Sequence, residues 1–252
     1  MALQFKRLLV LLLLSIAPLA HADIQRLQNL HEFRSEGYVA STYMLLDNNL
    51  FERIREPGHR EAYNAAIGNM EQLLRRMGNP NDLRAPYDEF VGLVRKLEGQ
   101  SDEEPHYQLA TVNEAMIAHA QMDKAATIAY EELAKDAPEK LLALHRQSTD
   151  ISQILLLYQN NMFSSVGIYF VEAEEGMFAK INSRITERSN ELHKLFPDMT
   201  STLNQLDHHY SFIRPRLLDH RADWVPTIAA FYLLRNTGTL NNLSREEART
   251  AS

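Results

Sequence analysis

Residues 141–169, LLALHRQSTDISQILLLYQNNMFSSVGIY, carry the pattern on which the fold turns. Leu141, Leu144, Ser148, Ile151, Leu155, Tyr158, Met162, Ser165 and Tyr169 recur at alternating spacings of four and three. Side chains so spaced line one side of an α-helix, whereas a strand would alternate with period two. The stripe is coiled-coil-like, with a partly polar centre. No proline falls between Pro138 and Pro197, and the only glycines in that stretch are Gly167 and Gly176. A single helix over Pro138–Phe196 would run about 88 Å, roughly three times the diameter of a small domain. The stretch is therefore expected to be one very long helix or two helices meeting near residues 160–167.

The same period extends outward in both directions. Upstream, helices are predicted over Ile24–Arg55, Arg60–Met77 and Pro86–Leu97, with Pro57-Gly58 and Gly78 as stop signals. Gly37 weakens the first of them at a cost of about 1 kcal/mol relative to Ala, so a bend is expected there. The segment GQSDEEP, Gly99–Pro105, reads as a linker. An Ala-rich helix from His106 to about Lys135 follows. Downstream, Asp198 is the expected N-cap of a helix over Met199–Ile213 that Pro215 ends or kinks. Asp223 is the expected cap of a last core helix closing at Gly238. Residues 239–252 hold a capping box at Ser244 and Glu247 but little apolar surface, and are expected to fray. The organisation predicted is a leader over 1–22, an N-terminal helical unit over 23–98, a linker over 99–105, and a long-helix bundle with C-terminal helices over 106–238. The fold class is all-α: an elongated, mostly antiparallel helical bundle with one very long or kinked central helix.

Residues 1–22 have the three parts of an export signal. Lys6 and Arg7 precede the apolar run Leu8–Leu19, and Ala20-His21-Ala22 is the small-x-small pattern before Asp23. About a dozen apolar residues are too few to span a membrane, so cleavage and a periplasmic location are expected. Removing the leader leaves 230 of 252 residues, with 24 basic and 33 acidic side chains, since Lys6 and Arg7 are lost from the 26. That balance argues against nucleic acid and against adhesion to anionic membranes. With no Cys, the fold must rest on apolar burial, which a chain of this length can supply.

No phosphate loop, dinucleotide fingerprint, HExxH or nucleophile elbow is present, so no catalytic residue is assigned and no enzyme is expected. Glu-x-x-His spacing occurs at Glu56–His59 and Glu103–His106, but each pair spans a proline in a predicted connection and not the interior of a helix, so a carboxylate-bridged di-iron bundle is not expected. His119 and Asp123 share a helix face and can point at one ion, whereas His208 and His209 point about 100° apart. No cofactor and no metal site are expected. Ser164, Ser165 and Gly167 are small residues suited to close helix contact. The stretch 208–235, HHYSFIRPRLLDHRADWVPTIAAFYLLR, is the densest in unusual chemistry. Arg forks and aromatics are enriched where proteins bind partners. Arg214, Arg216, His220, Arg221 and Trp224 are the predicted partner-binding residues. The chain is accordingly expected to be a non-enzymatic binding or adaptor protein whose partner is another envelope protein, without stable membrane insertion after leader cleavage. Its outline is similar to four-helix periplasmic sensor domains, and that likeness alone implies an accessory to an envelope or sensory system. A small-ligand or metal-binding bundle using the polar helix centre and histidines is the alternative.

Overall fold

The computed structural model describes residues 2–49, 56–101, 105–164, 176–219 and 224–251; within these ranges side chains are described from Ala22 onward, residues 57, 105, 106 and 162–164 apart. Among the described residues the chain is all-α, with eight α-helices, one 3₁₀ turn and no strand. The helices are α1 (Ala2–Asp47), α2 (Pro57–Arg76), α3 (Asn81–Glu98), α4 (Pro105–Ala134), α5 (Glu139–Ser164), α6 (Met177–Leu195), α7 (Thr200–Leu218) and α8 (Pro226–Thr250). The 3₁₀ turn Pro197–Met199 links α6 to α7. Among the residues whose side chains are described, no helix is long and apolar enough to cross a membrane.

Local chemistry sets several of these boundaries. Pro57 stands at the first position of α2, where its missing N–H leaves no helical bond unmade. That helix closes at Gly78, whose φ of 80° falls in the left-handed region that glycine enters without steric cost. The Asn79 N–H then reaches back to the Leu74 carbonyl at 2.8 Å, satisfying one of the last free acceptors.

The segment 138–196 is not one helix. It holds α5 and α6, packed side by side, and the longest helix is α1 at the other end of the chain. Between them, Ser165 and Gly167 lie outside the described residues. The α1 helix passes through Gly37 without a break, and that glycine is a point of close approach. A Cβ there would sit 3.2 Å from the Met122 side chain and 3.5 Å from His119 Nε2, so α4 lies directly against it. Both α3 and α7 run through a proline, Pro86 and Pro215 respectively, instead of starting or stopping at it. Asp198 is in the 3₁₀ turn, and no side chain caps α7. Asp223 lies outside the described residues.

Two apolar clusters hold the helices. The first draws on α1 to α4, with Phe33, Tyr63, Met70, Leu83, Phe90 and Met116 among its most enclosed members. It includes α4, so this helical group continues past the 99–105 linker. The second draws on α5 to α8, with Ile154, Tyr158, Ile185, Ile213 and Leu233 at its centre. Each cluster is built mainly from four helices; Leu141, Leu142 and Leu156 of α5 and Ala248 of α8 also enter the first, Leu46 of α1 enters the second, and α1 packs on both α5 and α8. That junction overturns the expected frayed tail. Residues 239–250 continue α8, and Leu240, Asn241, Ser244 and Ala248 are buried. The tail is short of apolar residues because the surface it docks against is polar.

Candidate functional site

The predicted partner-binding residues fall in three different settings. Arg214 is exposed on α7 at the rim of a cavity of about 240 Å³ between α5, α6, α7 and α8. Arg216 is half-buried, with its guanidinium 5.7 Å from the Phe212 ring centre. Two residues apart on a helix, these arginines point roughly 200° apart and do not share a face. His220 and Arg221 lie outside the described residues. Trp224 precedes α8 and stacks on Tyr158, with ring centres 4.4 Å apart and planes 26° from parallel. Its indole N–H is enclosed without a hydrogen-bond partner among the described residues, and its ring touches both apolar clusters.

Arg216 belongs to a face that the sequence did not delimit. Phe212 and Arg216 lie four residues apart on α7, and Ile228, Phe231 and Arg235 follow three- and four-residue spacing on α8. Phe212 is 47% exposed and Phe231 54%, far outside the range of core aromatics. Tyr232 sits between them, 5.0 Å from Phe212 and 5.2 Å from Phe231 by ring centres. The Arg235 guanidinium lies 4.8 Å from the Phe231 ring centre. The face is held from beneath: His209 Nδ1 is 2.8 Å from Asn236 Oδ1, and the Asn236 amide donates to the Leu206 carbonyl at 2.9 Å. Phe212 and Phe231 are apolar rings with cations over their faces, an arrangement worth about 0.5–1 kcal/mol per pair when exposed.

The His119–Asp123 pair has other work. Asp123 accepts from Arg34 Nε at 2.7 Å and from the Tyr38 hydroxyl at 3.0 Å. Burial pushes His119 down to about 4, so it is neutral, and it packs edge-on against Tyr38 and Phe90. Among the described residues no group of three or more His, Cys, Asp or Glu is placed to hold a metal ion.

The largest feature missed from sequence is a buried polar seam where α1, α5 and α8 meet. His31 and His145 stack with ring centres 3.9 Å apart and planes 11° from parallel. His145 Nε2 lies 2.8 Å from Gln28 Oε1, an acceptor, so that nitrogen carries the proton. Its Nδ1 is then free to accept from the Tyr130 hydroxyl at 3.0 Å. His31 Nε2 donates to Asn241 Oδ1 at 2.9 Å, which also accepts from Ser148 at 2.7 Å. The Asn241 amide donates to Ser35 at 2.7 Å. The Gln28 amide donates to Glu32 at 2.8 Å and to Ser244 at 3.0 Å. Arg245 closes the outer end on Glu32 at 2.7 Å. Burial lowers His31 to about 3 and takes His145 well below the ordinary histidine range. Both rings are neutral, which the stacking needs, because two imidazolium ions at that distance would repel. One acceptor of the seam, His31 Nδ1, is buried without a partner among the described residues.

The seam's residues come from positions 28–35, 130, 145–148 and 241–245, so no local motif announces it. Ser148 was the one visible sign, as a polar residue on an otherwise apolar stripe. No protein-family model, curated protein or solved structure matches this chain.

Proposed function

We propose that this chain is an exported, non-enzymatic binding or adaptor protein of the bacterial periplasm, acting through protein–protein contacts as an accessory to an envelope or sensory system. The export reading rests on the leader pattern of residues 1–22. The binding reading rests on one observation above the rest: Phe212 and Phe231 stand about half exposed beside Arg216 and Arg235. A folded chain of this size has ample core in which to place two phenylalanines. Their exposure, rimmed by cations in a chain of net charge −7, supports an acidic protein partner whose apolar side chains cover the rings. Arg216 and Arg235 supply forks for its carboxylates.

The test is co-purification from periplasm. A tagged chain should retain its partner, and Phe212→Ala with Phe231→Ala should lose it while the melting temperature stays close to wild type. Retention of the partner by that double variant would reject this face. Intact mass of the exported protein should begin at Asp23; a full-length chain in the membrane fraction would reject export by cleavage.

A further inference from the structure

We propose that the cavity where α1, α4, α5 and α6 meet binds a small dianion bearing carboxylate or phosphate oxygens. The cavity has a volume of about 250 Å³, and Arg34, Arg146, Arg184 and Arg188 all line it. Asp150 is the one acidic residue among its lining groups. Asp150 is buried and accepts from Arg184 at 2.7 Å through Oδ1 and from Arg188 through Oδ2, so one carboxylate faces two cations. Arg34 is paired with Asp123, which stands behind it and outside the lining. Arg146 is exposed and forms no ion pair among the described residues. Among the described residues, two positive charges lining this partly enclosed space are therefore unopposed, in a protein that is acidic overall.

The carboxylates also orient the forks. A guanidinium carries five N–H donors. Arg34 uses two of its nitrogens on Asp123, and Asp150 fixes the planes of Arg184 and Arg188. Donors remain on each fork, and those of Arg34 and Arg188 sit on side chains only 9% and 16% exposed. Forks already held in place lose little freedom on taking an oxyanion, and their partial burial strengthens the attraction. Thr149 and Gln153 add neutral polar groups to the wall. His145 also lines the cavity, but its protonated nitrogen is committed to Gln28 and it adds no charge. The volume falls below the roughly 300–1,000 Å³ of pockets for drug-sized molecules, which points to an ion of the size of phosphate or a short dicarboxylate.

The test is calorimetric titration of the purified full chain with inorganic phosphate and, separately, with succinate, at ionic strength matched with sodium chloride. Saturable binding of at least one, with Kd of about 1 mM or tighter, is expected. Arg146→Gln should weaken it by about tenfold or more, and Arg146→Lys should recover part of the loss by restoring charge without the fork. Neither variant should change the melting temperature appreciably without anion, since Arg146 is exposed and forms no ion pair among the described residues. Binding of phosphate alone or succinate alone identifies the oxyanion class. No saturable binding of either, or binding that Arg146→Gln leaves intact, would overturn the site.

Discussion

The seam between α1, α5 and α8 and the outer face of α7 and α8 use the same residue types to opposite ends. In the seam, His31, His145, Asn241 and Arg245 are joined to protein partners, and the two imidazoles are kept neutral by burial. On the outer face, Arg216 and Arg235 lie over rings that are themselves half exposed. Buried polar groups fix how helices meet, because each one left unpaired costs about 1–3 kcal/mol. Exposed rings fix nothing internally and remain available to a second molecule. Chemical density in the sequence is thus a poor guide to which region holds the fold.

The largest expected effect that separates the two regions is acid sensitivity. His31, His119 and His145 are held neutral in the native state with depressed pKa values, whereas in the unfolded chain they titrate near 6.5. Above that pH neither state binds the protons, and these groups contribute no pH dependence. Below it the unfolded chain takes up protons that the native chain refuses, so stability falls as pH drops from about 6.5 toward 4. Each histidine contributes about 1.4 kcal/mol per pH unit well below 6.5, so three together remove about 4 kcal/mol per unit from a total of order 5–15. Urea unfolding at a series of pH values should show that steep fall; a flat profile would mean that the seam histidines and His119 are not kept neutral.

Next in size is the keystone of the seam. Asn241→Ala deprives His31, Ser148 and Ser35 of their common partner and should destabilise by about 2–4 kcal/mol. Its neighbour Asn242 is exposed and its side chain accepts from half-buried Arg245, so Asn242→Ala should fall within about 0.5 kcal/mol of wild type. Equal losses at the two positions would break the distinction between seam and surface. On the outer face, Phe212→Ala with Phe231→Ala should cost about 1 kcal/mol of stability or less, yet lower partner affinity at least tenfold, about 1.4 kcal/mol. Smallest is the contrast between arginines. Arg216→Ala should weaken the complex about three- to tenfold, and Arg214→Ala, pointing away from the rings, should do less. The reverse order, measured by titration, would move the contact surface to the Arg214 side of α7.

Much of the helical framework was legible because its punctuation is local. Pro57, Gly78, Pro138 and Pro197 each stand within a few residues of an observed helix end. The failures share a cause. Pro86 and Pro215 read as boundaries, but packing of Tyr87, Phe90, Ile213 and Leu217 into the clusters carries the helices through them. The end of α8 read as a fraying tail because apolar periodicity stops at Leu240. Its next buried positions, Asn241 and Ser244, are polar, and their partners Gln28, His31 and Ser35 lie more than 200 residues away. Polar burial leaves no periodic apolar signal, and pairing at that separation leaves no motif. The aromatic–arginine face was half legible: residues 208–235 stood out by composition, but only the meeting of α7 with α8 shows that Phe212, Phe231, Arg216 and Arg235 share a surface while Trp224 turns inward. The Arg-lined cavity was not legible at all, since Arg34, Arg146, Arg184 and Arg188 come from three separate helices.

The central claim is that the outer face of α7 and α8 is a contact surface, whereas the seam of α1, α5 and α8 serves only to join helices. Site-specific photo-cross-linking in intact cells tests it most directly, with the probe placed at Phe231 and, as a control, at exposed Glu89 on α3. The account predicts one discrete adduct with another envelope protein from position 231 and none from position 89. No adduct at 231, or the same adduct from both positions, would contradict it.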